Sequence, residues 1–180
     1  ETKREIEKES INKKKENNRG WESRIPKINY SKPEENIKEY KDINTGLTVE
    51  EKIVRVLRNL RGLNPYYCAV IECLKFRAVG KKSNVKTAAV SVDTLYYNVP
   101  FIASLDEAEL TWTLMHEASH CIMGHIGRGL EREAQLWNIA CDLYINSVIY
   151  HDTLARPGII DLKNIPKEIE EKVGKFRVVE

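Results

Sequence analysis

The chain has 180 residues, 42% of them hydrophobic, which is enough for one domain with a sizeable core. Its 29 Lys and Arg nearly balance 27 Asp and Glu, so the net charge of +2 carries no nucleic-acid or membrane-surface footprint. No apolar run approaches the ~18 residues of a membrane span, and nothing resembles a signal peptide.

Residues 1–45 read as a charged N-terminal arm, rich in Lys, Glu and Asn and with little to bury. Trp21, Ile25, Ile28 and Tyr30, set around Pro26 and Pro33, suggest an extended piece packing on the body. A weak helix is expected from Glu34 to Tyr40. The remaining residues, 46–180, form the domain proper. Thr48 with Glu51 makes a capping box, and Val49, Ile53, Val54, Val56, Leu57 and Leu60 form a helical stripe ending near Gly62. Asn64 and Pro65 restart a helix as N-cap and first-turn residue. Between Leu74 and Ala78 the pattern turns to strand-like alternation. Gly80 to Asn84 is a turn, and Val85 to Val92 and Thr94 to Asn98 read as two more strands. Pro100 fits a strand end. Ser104 with Glu107 is expected to cap the next helix, and Gly124 to stop it. From Glu133 to Tyr150 the chain is apolar almost all round, which predicts a buried helix. His151 reads as a surface residue, and a short helix from Lys167 to Val173 closes the domain.

The cysteines, Cys68, Cys73, Cys121 and Cys141, lack C-x-x-C spacing. They are expected to be buried free thiols in a reducing compartment, which points to the cytoplasm.

Chemistry concentrates in LMHEASHCIMGHIGR, Leu114 to Arg128, which holds three of the chain's 4 His. His116 and His120 are four apart, so on a helix both imidazoles can meet one ion, with Glu117 beside them as a general base. Zinc with an open position for water is the expected cofactor. The third ligand comes from further along. Asn138, Asp142 and Asn146 form a single polar stripe on the otherwise apolar helix, and a carboxylate there needs a positive partner. Asp142 is therefore the expected ligand, with Asn138 and Asn146 orienting the ligands from behind. His125 is the alternative. On a continuous helix it would lie about 140° round from His120, so it reaches the metal only if the chain turns back at Gly124. Tyr97, Tyr144 and His125 are candidates for stabilising an oxyanion.

Three blocks, VKTAAVSVDTLYYNVPFI, LMHEASHCIMGHIGR and LWNIACDLYIN, together resemble the metallopeptidase domain that in bacteria is often followed by a von Willebrand A-like domain. The resemblance covers roughly Thr48 to Asn164. It implies a zincin: zinc on His116 and His120, Glu117 as base and Asp142 from the ACDLYIN block. By analogy with zincins, TLYYN would be the edge strand that pairs with substrate, making Tyr97 and Asn98 substrate-binding residues. The sequence to Glu180 contains no von Willebrand-like segment, and the charged arm has no counterpart in the resemblance.

The resulting expectation is an α+β, zincin-like domain: a small, mostly antiparallel sheet of about three strands on a helical body, hydrolysing peptides or proteins. A regulatory protein partner fits the charged arm. The alternative is a catalytically silent, metal-stabilised domain that binds a partner strand at its sheet edge. The intact Glu117 argues against it, because a structural ion needs no base.

Overall fold

The computed structural model describes residues 40–42 and 44–149. The N-terminal arm up to residue 39, His151 and the expected closing helix at Lys167 to Val173 lie outside the described residues.

Helix α1 (Val49–Leu63) opens on the expected capping box: the Glu51 amide donates to Thr48 Oγ1 at 3.3 Å, and the Thr48 amide donates to Glu51 Oε2 at 2.9 Å. Val49, Ile53, Val56 and Leu60 recur at three- and four-residue spacing and fill the core face. Asn64 then caps α2 (Pro65–Glu72), its side chain accepting from the Tyr67 amide. Both helices therefore start where their capping residues stand.

Lys52 is the anomaly of α1, because it lies on the core face and is only 1% exposed. Its ammonium pairs with Asp42 and donates to the carbonyls of Leu105 and of Ile102, the latter at 3.4 Å. Asp42 in turn accepts from the Asn44 and Thr45 amides at 2.9 and 2.7 Å. This buried knot ties the turn before α1 to the segment that leads into the motif helix.

Three strands follow: β1 (Lys75–Val79), β2 (Ala88–Ser91) and β3 (Thr94–Asn98), in the order β1-β3-β2. The sheet is mixed rather than mostly antiparallel. β2 and β3 form an antiparallel hairpin, Ala88 opposite Tyr97 and Ser91 opposite Thr94. β1 pairs in parallel with β3, Lys75 opposite Thr94 and Val79 opposite Asn98. The reason is that the connection after β1 carries the chain past the position of β3 instead of folding back as a hairpin, so β2 comes to lie at the far edge.

This topology corrects the edge-strand expectation. TLYYN is the central strand β3, with both sides paired, and all five residues are buried. Tyr97 belongs to the main core. Asn98 Nδ2 donates to the Val85 carbonyl at 3.2 Å, and its Oδ1 accepts from the Phe101 amide, capping a short helix α3 (Val99–Ser104). Neither residue is placed to hold a substrate backbone.

The motif helix α4 (Glu107–Ile122) begins two residues later than the Ser104 box implied. Asp106 is the N-cap: its Oδ1 accepts from the Glu109 amide at 2.7 Å, and Glu109 Oε2 accepts from the Asp106 amide at 2.9 Å. Ser104 instead donates to the Phe101 carbonyl at the end of α3. A four-residue helix α5 (His125–Arg128) and then α6 (Ala134–Ile149) complete the described chain. The expectation that α6 is buried all round is also corrected. Cys141, Leu143, Ile145, Asn146 and Ile149 are buried, while Tyr144 and Val148 are exposed. Among the described residues no helix is long and apolar enough to cross a membrane, and all four cysteines are free; Cys68 and Cys141 are buried as expected, but Cys121 is only half-buried and Cys73 is exposed.

Candidate metal centre

Helix α4 packs against both β2 and α6, and the site lies where the three meet. One turn of helix brings His116 and His120 onto the same face. From α6, Asp142 points at them. The three facing atoms form a nearly equilateral triangle: His116 Nε2 to His120 Nε2 is 3.2 Å, and Asp142 Oδ1 lies 3.3 Å from the first and 3.1 Å from the second. An ion 2.0–2.1 Å from each ligand in tetrahedral geometry sets its ligands about 3.3 Å apart. The triangle has that size. Among the described residues it is the one His/Cys/Asp/Glu group that could hold a metal ion.

The partners behind the triangle fix its orientation. Asn146 Oδ1 can only accept, so at 3.1 Å it takes the Nδ1 hydrogen of His116 and leaves the Nε2 lone pair facing the triangle. Asn138 Nδ2 donates to Asp142 Oδ2 at 2.9 Å, which leaves Oδ1 for the site. The polar stripe on α6 thus meets the two histidines through Asp142 and Asn146, with Asn138 bonded to Asp142.

Electrostatics follow from burial and proximity. Burial alone would raise the Asp142 carboxyl, but hydrogen bonds and charge from His116 and His120 hold it below its ordinary value. Burial disfavours the His116 imidazolium, yet Asp142, Glu117 and Asn146 outweigh it and raise the group. Glu117 is 8% exposed and borders the same cavity. Its carboxyl is raised by burial, drawn back in part by the two imidazoles and raised further by Asp142. The Val90 amide, on the β2 edge, hydrogen-bonds it. Cys141, also on the cavity wall, is pushed up to about 11 by burial and then by Asp142, and so stays a thiol at neutral pH.

His125 does turn back toward the site. Gly124 takes φ +64°, a left-handed conformation that reverses the chain after α4 and starts α5. His125 nevertheless stops one layer out, with its Nδ1 3.3 Å from the far nitrogen, Nδ1, of His120. It stands behind a member of the triangle rather than in it. Burial, then the neighbouring His120, push it down to about 4, so it is neutral at pH 7. Of the three oxyanion candidates, only His125 borders the cavity of about 340 Å³ that holds the triangle. Tyr97 is in the core, and Tyr144 is 57% exposed and borders a different hollow.

Trp137 carried no short-range signal in the sequence, yet it props His125. Its indole N–H donates to the His125 carbonyl at 2.8 Å, and Arg128 and Arg132 lie over the ring at 5.7 and 4.8 Å. The indole sits so close to Gly129 that a Cβ there would come within 2.4 Å of it. Gly129→Ala is therefore expected to displace Trp137 and break its hydrogen bond, destabilising the fold by about 1–3 kcal/mol. Gly127→Ala, where a Cβ meets nothing, is the matched control and should cost far less. Chemical unfolding of the two variants beside the parent chain checks this.

The family described as "Putative metallopeptidase domain" matches residues 49–175. No curated protein and no solved structure matches the chain. The match takes in α4 and α6, and with them all three corners of the triangle, Glu117 and both asparagines. By that match the chain belongs to the Putative metallopeptidase domain family.

Proposed function

We propose that this domain is a zinc-dependent peptidase of zincin type, with His116, His120 and Asp142 as ligands and Glu117 as general base. One observation carries the reading: a ligand triangle of tetrahedral size shares its cavity with a buried carboxylate that is not itself one of the three. Two imidazoles and one carboxylate form a donor set that would suit zinc, and the cavity that they line leaves room beside them for water and substrate. A bound zinc ion supplies polarisation of the scissile carbonyl and lowers the pKa of a coordinated water toward neutrality.

The chain's own residues supply the rest. Glu117 receives the proton of the attacking water and passes it to the leaving nitrogen, and a carboxyl raised by burial is better matched to that task near neutral pH. Asn146 and Asn138 hold His116 and Asp142 in the tautomer and orientation that aim their free lone pairs inward. His125 does the same for His120 from its far side. A substrate backbone would run along β2, whose Ala88 to Val90, with Thr87 just before them, wall the cavity and whose outer edge has no strand partner among the described residues.

Metal content tests the ligand set. One zinc per chain is expected in the parent and in His125→Ala, and none in Asp142→Ala, by elemental analysis after dialysis. Loss of zinc from His125→Ala alone, with Asp142→Ala retaining it, would exchange the two roles.

A further inference from the structure

The cleft does not end at the ligand triangle. Past Asn138 and His125 it runs into a second hollow of about 520 Å³, larger than the first. The two share Thr87 to Val90, His125 and Trp137 as walls, so they form one continuous trough. On one side is the β2 edge, extended back to Asn84. Facing it are Ile126, Leu130, Ala134 and Trp137, an apolar wall built by α5, the turn after it and the start of α6.

Two properties of this wall bear on what it can take. It is rigid where it matters, since Trp137 is pinned by the His125 carbonyl on one edge and by Gly129 on another. A preformed apolar surface loses little entropy when a ligand arrives. Its charge is also one-sided. Lys86 and Arg132 line the hollow, and among the described residues no carboxylate does. A cationic side chain would meet like charge there and would forfeit its hydration, whereas an aliphatic or aromatic one would be desolvated against Leu130 and Trp137.

A segment laid along β2 sends alternate side chains to opposite sides, so one beside the scissile bond would face this wall. We propose that the hollow is a specificity subsite of the cleft, which selects a large aliphatic or aromatic side chain next to the bond cut and rejects lysine and arginine. The proposal rests on the peptidase reading above and adds the class of substrate.

Binding of three hydroxamates to the zinc-loaded chain, followed by calorimetry, separates the two claims. Acetohydroxamate reaches only the metal. The hydroxamates of N-acetyl-leucine and Nα-acetyl-lysine add side chains of opposite character, one branched and apolar, the other longer and cationic. The leucine compound is expected to bind about tenfold more tightly than acetohydroxamate, the gain of partly burying one aliphatic side chain, and the lysine compound to show no gain. Ala134→Trp, which fills the hollow from an exposed helix start, should remove the leucine advantage. Leu130→Glu should reverse the order of leucine and lysine. If acetohydroxamate binds but all three compounds are equivalent, the subsite is wrong and the metal site stands. The subsite is equally overturned if both variants leave the ranking unchanged. If acetohydroxamate does not bind and the chain holds no zinc, the peptidase reading falls and the subsite with it.

Discussion

Replacing Glu117 by Gln is expected to slow peptide hydrolysis by roughly 10²–10⁴-fold while the chain keeps its metal. The substitution is nearly isosteric, and the amide oxygen can still accept from the Val90 amide. What it cannot do is take a proton from water and return it to a leaving nitrogen. The three atoms of the triangle belong to other residues, so metal content should not change. Steady-state cleavage of a fluorogenic peptide beside elemental analysis reads both quantities. A rate within about threefold of the parent would remove Glu117 from the proton transfer. Loss of metal together with rate would mean that the carboxylate holds the site together instead of acting in it.

The second large effect concerns stability and lies far from the cleft. Lys52→Met is expected to cost about 3–5 kcal/mol, because it leaves Asp42 as an uncompensated charge in a buried position. It also strips the Leu105 carbonyl of its Lys52 donor and leaves the Ile102 carbonyl with the Leu105 amide alone. Adding Asp42→Asn should recover part of the loss, since Asn still accepts from the Asn44 and Thr45 amides but brings no charge. Urea unfolding of the single and double variants gives the coupling directly. A single-variant cost below about 1 kcal/mol would show that water reaches the pair in solution.

The same pair sets a pH dependence. Lys52 beside Asp42, helped by the Thr45 and Asn44 amides and opposed by burial, holds the carboxyl well below the usual carboxylate range. The folded value lies below the unfolded one, near 3.9, so the contribution is complete above that pH and is lost as pH falls through it toward the folded value. Acid unfolding below about pH 4 should therefore be shallower in Lys52→Met than in the parent.

What the sequence made legible was local or governed by charge. His116, Glu117 and His120 follow from helical spacing alone. Asp142 was reached by a different route, the cost of a carboxylate on an apolar helix, and the same stripe named Asn138 and Asn146, which hydrogen-bond Asp142 and His116. Short-range ambiguity defeated the start of α4: Ser104 with Glu107 and Asp106 with Glu109 both satisfy the capping pattern two residues apart, and Asp106, the stronger cap, takes it. The same signals could have revealed α3, since Asn98 before Val99 and Pro100 is an N-cap followed by an early proline. Strand order was beyond reach. Nothing in Gly80 to Asn84 distinguishes a hairpin from a crossing, and that choice alone decides whether TLYYN or AAVS forms the edge. Trp137 and Gly129 meet His125 through the turn between α5 and α6, a contact with no periodic trace.

The ligand triangle draws two corners from α4 and one from α6, and these helices are joined in sequence only through α5 and the turn after it. An ion seated there would act as a rivet between two pieces of the fold. Its binding free energy is then also cohesion, available to α6 and withheld from the sheet and from α1, which own no corner. Stripped of its ion, the chain should come apart in order, with amide exchange quickening first along α6 while β3 and the Lys52 knot hold. With such an ion, metal starvation would show as a loosened helix before it showed as an unfolded protein.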